Sequence, residues 1–304
     1  MDKMTERMTS GGWTVQVPPD FSFSQNLGYL SRSPNECMHH IAGGVVSKRI
    51  EAGGVRRIIA ASEAEGGLLV RSNAPLEDAG ERREVERYVR DWFDLDADLA
   101  PFYAMADADP LLRQVTERFR GLRTMGIPDL FEALCWGIIG QQINLAFAYT
   151  LKRRLVEAFG ESEEWDGTRY WLFPSPERIA GLSPADLTGL QLTGKKAEYL
   201  IGTAALMAEG KLTKEGLLGA GGYREAERAL VGIRGIGPWT ANYVLMRCLR
   251  FPSALPIQDV GLHNAIKALL GMDRKPTLEE IRELAKPWAG WESYATFYLW
   301  RALY

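Results

Sequence analysis

The residues best suited to chemistry lie in a short segment that turns tightly between two helical patterns. One pattern ends near Gly232, the turn Gly235-Ile236-Gly237 follows, and Pro238 opens the next helix. Proline suits a first helical turn because its missing N–H would have no partner there. Glycines allow a close approach to a ligand, and the unpaired amides at a helix start favour an anion. The segment therefore predicts a DNA phosphate site, with Arg234 adding charge beside it.

A single carboxylate, Asp259, follows this segment after a proline-containing loop. It precedes the helical pattern that begins at Val260, so it lies at or next to the N-cap of that helix. The positive end of the helix dipole favours a charged carboxylate, which is the form that stabilises an oxocarbenium-like sugar or draws a proton from water. A role limited to helix capping is the alternative, and one residue can serve both purposes.

Three blocks of the sequence together resemble a known family of DNA repair enzymes. They are the turn Gly235-Ile236-Gly237 with 238–243 (PWTANY), the loop that ends in Asp259, and the aromatic block 291–300. In order and spacing they are similar to the helix-hairpin-helix DNA glycosylases that carry a Gly/Pro-Asp loop. Within that superfamily, they resemble the 3-methyladenine DNA glycosylase II family specifically. The resemblance covers about residues 110–304.

This resemblance implies an enzyme of base excision repair. Its partner would be double-stranded DNA carrying alkylated purines of the 3-methyladenine and 7-methylguanine type. The damaged base would be flipped out of the duplex and its N-glycosidic bond hydrolysed, leaving an abasic site. Alkylation at N3 or N7 puts positive charge on the purine, which makes it a good leaving group. We therefore expect one carboxylate, Asp259, to suffice for catalysis, with no cofactor and no catalytic metal.

Aromatic side chains near Asp259 in the sequence are candidates for the pocket that holds the flipped base. Trp239 and Tyr243 are four residues apart and share one face of the second hairpin helix, and the resemblance adds Trp300. An aromatic face attracts a cationic base by roughly 0.5–2 kcal/mol. The alternative interpretation is that these three residues are ordinary core aromatics.

The residue type at position 239 predicts the kind of reaction. The resemblance places a lysine at this point in the relatives that also cut the strand, and its amine attacks the sugar to form a Schiff base. Trp239 cannot do this, so we predict a monofunctional hydrolase. Lys195 and Lys196 lie on a separate predicted helix, where we expect a solvated surface or a contact with phosphate.

The pair Gln141-Gln142 interrupts an otherwise apolar helical stretch over residues 131–155. The resemblance places at Gln142 the wedge that fills the gap left by the flipped base, although some relatives carry leucine there. A helix cap or a buried amide is the alternative interpretation of Gln142. The charge run at 152–154 is typical of a solvated helix face.

Two other functions compete with this interpretation. One is a glycosylase for oxidised, deaminated or mismatched bases. The absence of the lysine and that of a four-cysteine cluster both argue against this alternative. The other is a helix-hairpin-helix protein that binds DNA and breaks no bond. A carboxylate such as Asp259 would repel phosphate in a pure binder, so the enzyme is favoured.

The elements that must position these residues are predicted to form a small N-terminal α/β lobe and a helix-hairpin-helix bundle of two helical lobes. Residues 1–108 form a small α/β lobe, which the resemblance implies to be like the TATA-binding protein; its strands are predicted at 14–17, 45–50, 55–61 and 67–71, and its helix at Gly80–Phe93. Residues 109–304 are predicted to be helical throughout, with a short turn at Gly160–Gly167. The fold class is therefore mainly α, with the helix-hairpin-helix at about 223–250 and the catalytic loop at 251–259.

Bulk properties favour an ordinary globular protein. The 304 residues carry a net charge of −3, but residues 1–110 sum to −6 and residues 191–250 to +4, so we expect DNA to meet the second region. Three cysteines are too few for a disulfide framework and are expected to be reduced. No run of apolar residues is long enough to span a membrane, and we expect a cytoplasmic monomer.

Overall fold

The β-branched and apolar runs of the N-terminal part form a five-stranded antiparallel sheet. The computed structural model describes residues 12–76 and 78–304, and the strands lie in the order β1-β5-β4-β3-β2. They are β1 (Trp13–Gln16), β2 (His40–Ala42), β3 (Val45–Ala52), β4 (Val55–Ala64) and β5 (Gly67–Ser72). The predicted meander is confirmed, and the first predicted strand pairs with β5.

Within the described ranges, two helices accompany this sheet. Helix α2 (Ala79–Phe93) contacts β3 and β4, and its buried side chains follow the predicted apolar spacing. Helix α1 (Phe23–Leu30) was not predicted. It is only eight residues long and includes Asn26 and Gly28, so its apolar period is too short to stand out.

The rest of the chain is mainly helical, as predicted. Its helices are α3 (Ala100–Ala108), α4 (Pro110–Arg118), α5 (Leu130–Ile139), α6 (Leu145–Phe159), α7 (Pro176–Ala180), α8 (Pro184–Thr188), α9 (Gly194–Ala208), α10 (Lys214–Leu218), α11 (Tyr223–Val231), α12 (Pro238–Arg247), α13 (Val260–Leu269), α14 (Leu278–Ala285) and α15 (Glu292–Arg301). The division of the chain into 1–108 and 109–304 stays a prediction.

The expectation that no strand follows residue 109 is wrong. A β-hairpin, β6 (Glu161–Trp165) and β7 (Thr168–Leu172), occupies the place of the predicted turn. Its second strand alternates, because Tyr170 and Leu172 are buried while Arg169 is exposed. The hairpin lies against the N-terminal sheet, where the Tyr170 and Ser47 hydroxyls are 3.0 Å apart.

A buried cluster of four charges links the N-terminal lobe to the helices. Lys48 on β3 lies 3.7 Å from Glu132 on α5, and Glu132 accepts a 2.9 Å hydrogen bond from Lys152 on α6. Lys152 is also 3.6 Å from Glu36. Burial opposes the charge on Lys48, but the Glu132 carboxylate holds its pKa above the ordinary lysine value. The prediction that 152–154 is a solvated face is therefore wrong for Lys152.

We expect Lys48→Met to destabilise the protein strongly. The substitution leaves the Glu132 carboxylate buried with one cation instead of two, and breaking such a pair costs roughly 3 kcal/mol of the free energy of unfolding. Denaturant titration measures this loss. The control is Arg274→Met in the exposed pair with Glu280, which should leave the free energy of unfolding nearly unchanged. Equal losses of unfolding free energy for the two variants would contradict the expectation that the buried cluster stabilises the protein.

Among the described residues, no helix is both long and apolar enough to cross a membrane. Within the same ranges, no three or more His, Cys, Asp and Glu side chains are grouped so that they could hold a metal ion. Cys37, Cys135 and Cys248 are free thiols in buried positions.

Candidate active site

The predicted hairpin joins α11 to α12, and its two glycines have different conformations. Gly235 has a φ of +95°, and a Cβ there would meet the Tyr199 ring at 2.2 Å, so only glycine fits. Gly237 is extended, with φ −86° and ψ 175°, and a Cβ added there would have no neighbour within 4 Å. The tight turn therefore depends on Gly235, whereas Gly237 faces open space.

Backbone amides of the turn are free to bind an anion. Within the described ranges, the N–H groups of Gly235 and Gly237 donate no hydrogen bond, and α12 begins without a side-chain cap. Ile236 differs from the expected phosphate ligand, because its side chain is buried and its N–H donates to the Ile233 carbonyl at 3.0 Å. Arg234 is exposed and pairs with Glu198 at 2.9 Å.

Replacing Gly237 with Val should lower the affinity for every duplex without unfolding the protein. The new side chain projects into open space at the turn, where a phosphate would approach the glycine amides. We expect about a tenfold loss for intact and damaged DNA alike, measured by fluorescence anisotropy, with an unchanged melting temperature. Gly235→Val is the contrast, since it should lower the melting temperature through the clash with Tyr199. A Gly237→Val variant that lost only its preference for lesions would contradict this assignment.

Asp259 is the N-cap of α13, and three N–H donors hold its carboxylate. The Oδ1 atom accepts hydrogen bonds from the Leu262 amide and from the Trp300 indole Nε1, both at 2.7 Å. The Oδ2 atom accepts one from the Trp239 indole Nε1 at 2.9 Å. Gly261 is needed beside it, because a Cβ there would lie 2.9 Å from Oδ1. Both carboxylate oxygens are thus fixed in direction.

The three aromatic residues predicted for the base pocket lie in one row. The ring centroids of Trp239 and Tyr243 are 5.9 Å apart, and those of Tyr243 and Trp300 are 6.1 Å apart. Tyr243 and Trp300 are buried, whereas Trp239 is half-buried. The sequence interpretation gave the two tryptophans a stacking role, and the structure adds a second one, since their indole N–H groups position Asp259.

Two residues outside the predicted set hold the loop that carries Asp259. The Asn242 side chain accepts from the Leu255 amide at 3.0 Å and donates to Glu227 at 2.6 Å, which ties the loop to the helix pair. The Ser293 hydroxyl contacts the carbonyls of Phe251 and Ala254. Asn242 is largely buried on an apolar helix face. A polar residue at such a position needs hydrogen-bond partners, and this could have indicated its role in holding the loop.

The N-terminal lobe contacts the aromatic row through hydrogen bonds made by an arginine of α12. The Arg247 guanidinium donates to the hydroxyls of Tyr243 and Tyr29, at 3.0 and 2.7 Å. Arg32 lies 3.9 Å above the Tyr29 ring. Burial raises the pKa of Tyr243 to about 12, so its hydroxyl is neutral at physiological pH. Tyr29 and Arg32 carried no motif, so the sequence analysis did not identify them.

Gln142, the predicted wedge, and its neighbour Gln141 have different surroundings. Gln141 is half-buried, and its Nε2 donates to the Gly235 carbonyl at 2.9 Å and to the Thr240 hydroxyl at 3.0 Å. It is therefore the amide that joins this loop to the hairpin. Gln142 is exposed, with a φ of +56°. Among the described residues, its side chain has no hydrogen-bond partner.

The positive balance of residues 191–250 gives little free surface charge. Lys196 is buried and donates to the Ile139 carbonyl at 2.8 Å, so the expectation of a surface position is wrong for it. Lys214 and Arg250 both pair with Asp91. Lys195 is exposed, as expected. The charges of Lys196, Lys214 and Arg250 are therefore already paired, whereas, in the part of the chain that the structure describes, the Gly235 and Gly237 amides are not.

Comparisons of the sequence and of the fold find similar proteins over almost the whole chain. Residues 135–290 match the model of the HhH-GPD superfamily base excision DNA repair proteins, and residues 35–134 match that of the 8-oxoguanine DNA glycosylase N-terminal domain. The chain is 54% identical over 294 residues to the DNA-3-methyladenine glycosylase of Bacillus subtilis, covering 95% of this chain and 96% of the relative. It is 27% identical to DNA-3-methyladenine glycosylase 2 of Escherichia coli, covering 95% and 96%. A 3-methyladenine DNA-glycosylase structure from Archaeoglobus fulgidus superposes with a TM-score of 0.81 at 26% identity, over 95% of this chain and 97% of that one.

Proposed function

Because this chain belongs to the HhH-GPD superfamily of base excision DNA repair proteins, we propose that Asp259 is its catalytic carboxylate. The protein is a base-excision repair glycosylase for alkylated bases. The observation that carries the proposal is the set of three N–H donors around Asp259, two of them from tryptophans in the aromatic row. A carboxylate fixed in this way can stabilise positive charge on the sugar as the glycosidic bond breaks, or direct a water molecule to it.

The damaged base is proposed to be a cationic purine of the 3-methyladenine or 7-methylguanine type. The aromatic row supports this, since an electron-poor base is attracted to ring faces while its charge already makes it a good leaving group. No acid is then needed to protonate the base. Asp259 acts on the sugar side of the bond, and the products are the free base and an abasic site.

The surrounding elements hold the duplex during this step. The glycine amides of the hairpin bind a phosphate, and the exposed Lys195 and the Arg234 side chain, which is paired with Glu198, add weaker electrostatic attraction. Gln142, exposed at the loop joined to the hairpin by Gln141, fills the gap left by the flipped nucleotide. The protein is proposed to work as a monomer.

The test is to incubate the protein with duplex DNA treated with a methylating agent and to identify the released bases by chromatography. Release of 3-methyladenine and 7-methylguanine supports the proposal, and release of neither overturns it. A parallel duplex carries 8-oxoguanine, because residues 35–134 match the N-terminal domain of glycosylases for that base. Excision of 8-oxoguanine in preference to the methylated bases would favour the oxidised-base alternative.

Borohydride should trap no covalent complex between the protein and alkylated DNA. Trp239 offers no amine, and the buried Lys196 ammonium is occupied by the Ile139 carbonyl, so no Schiff base forms. Strand breaks should appear only after heat or alkali. Denaturing gels with and without borohydride measure both results, with a lyase as positive control. Efficient trapping would contradict a monofunctional reaction, and Lys195→Ala would then identify the amine.

A further inference from the structure

The first turn of α6 carries two large apolar side chains into solvent. Leu145 and Phe147 are 39% and 37% exposed, and all four residues from 144 to 147 are exposed before the helix enters the core at Ala148. Asn144 caps this turn through a 2.9 Å hydrogen bond from the Phe147 amide. Leucine and phenylalanine exposed in the same helical turn form a small apolar surface that another molecule can contact.

This helix end is continuous with the surface that meets DNA. Helix α6 begins three residues after Gln142, and Gln141 joins the same loop to the hairpin at Gly235. The hairpin and the apolar turn are therefore connected through one short loop, which Gln141 holds against the hairpin.

The chemistry of this turn fits bases better than phosphates. Residues 133–151 contain no charged side chain, so nothing in this stretch can neutralise the DNA backbone. Apolar side chains that contact DNA do so by inserting at base steps and unstacking them. The exposed wedge residue Gln142 is polar and cannot supply that apolar contact.

We propose that Leu145 and Phe147 form a second contact with the duplex, against the unstacked bases beside the flipped nucleotide. This inference rests on the proposed function, since it requires a duplex opened at a lesion. The two side chains support the base steps that Gln142 separates, so they stabilise the opened duplex and not the intact one.

The test uses the double variant Leu145→Ala, Phe147→Ala in the full chain. The probes are an intact duplex and a duplex with a tetrahydrofuran abasic analogue, each with 2-aminopurine next to the central position. We expect about a tenfold loss of affinity for the abasic duplex and a loss of the 2-aminopurine fluorescence rise. Affinity for the intact duplex should change less than about twofold, and the salt dependence should not change. The control is Leu270→Ala, since Leu270 is 45% exposed and lies at the far end of α13 from Asp259.

Three results would overturn the inference. One is unchanged affinity and fluorescence with the abasic duplex. Another is an equal loss on both duplexes with a weaker salt dependence, which would place the contact at phosphates. The third is a wild-type dimer, seen by sedimentation, that the double variant converts to monomers. Excision of 7-methylguanine by the wild-type protein is measured separately, so a failure of the proposed function is distinguishable from a failure of this contact.

Discussion

An Asp259→Asn variant is expected to excise methylated bases roughly 10³-fold more slowly than the wild type, or worse, while remaining folded. The amide is neutral and cannot stabilise positive charge on the sugar. Its oxygen still accepts from the Leu262 amide, so the helix cap survives. Its NH₂ group, however, faces an indole N–H that has lost its acceptor, which costs about 1–3 kcal/mol of the free energy of unfolding. Single-turnover excision and thermal melting measure the two effects separately.

The chain contains a matched control for this substitution. Asp109 also caps a helix, accepting from the Leu111 and Leu112 amides, and its Oδ2 accepts from the Trp288 indole at 2.8 Å. Asp109→Asn should therefore lose a similar amount of stability and keep its excision rate. If the two variants lost activity equally, or if Asp259→Asn excised bases at near wild-type rates, Asp259 would not be the catalytic carboxylate.

Much of this site could be predicted because its signals are local in sequence. The hairpin glycines, Pro238 and the capping position of Asp259 depend on backbone rules that act over a few residues. The same is true of the strand meander, whose glycine pairs mark the turns. Local rules also placed Trp239 and Tyr243 on one helix face, and in the structure their ring centroids are 5.9 Å apart.

The remaining features depend on contacts between distant segments. The indole of Trp300 reaches Asp259 across 41 positions, and the buried Lys48 and Glu132 are 84 positions apart. The periodicity of apolar residues along the sequence does not indicate which distant residues will form such pairs. Lys152 and Lys196 were expected at the surface because lysines are rarely buried, and each is buried because a specific acceptor on α5 offsets the cost of desolvation. Similarly, the direction of the two indole N–H groups is set by tertiary packing.

Replacing both tryptophans with phenylalanine, Trp239→Phe and Trp300→Phe, should separate stacking from carboxylate positioning. Phenylalanine keeps an aromatic face but removes both indole donors, so the Leu262 amide alone would hold Asp259. A hydrogen bond to a charged group contributes about 1.5–3 kcal/mol, so each single variant should slow single-turnover excision by roughly 10- to 100-fold, and the double variant by more. Affinity for an abasic-analogue duplex should be nearly unchanged. Trp288→Phe, which removes the indole from Asp109, is the matched control and should keep the excision rate.

A double-mutant cycle decides whether the indoles act through Asp259. If their role is to position this carboxylate, Trp300→Phe should slow excision in the wild type but have almost no further effect when Asp259 is already Asn. If the rings act only by stacking on the base, the cycle should be additive, and Phe should preserve the rate that Ala abolishes. Additive losses would therefore remove the positioning role and leave the aromatic row as a binding surface. A non-additive result would mean that Trp300, which was predicted to hold the base, also positions the carboxylate that releases it.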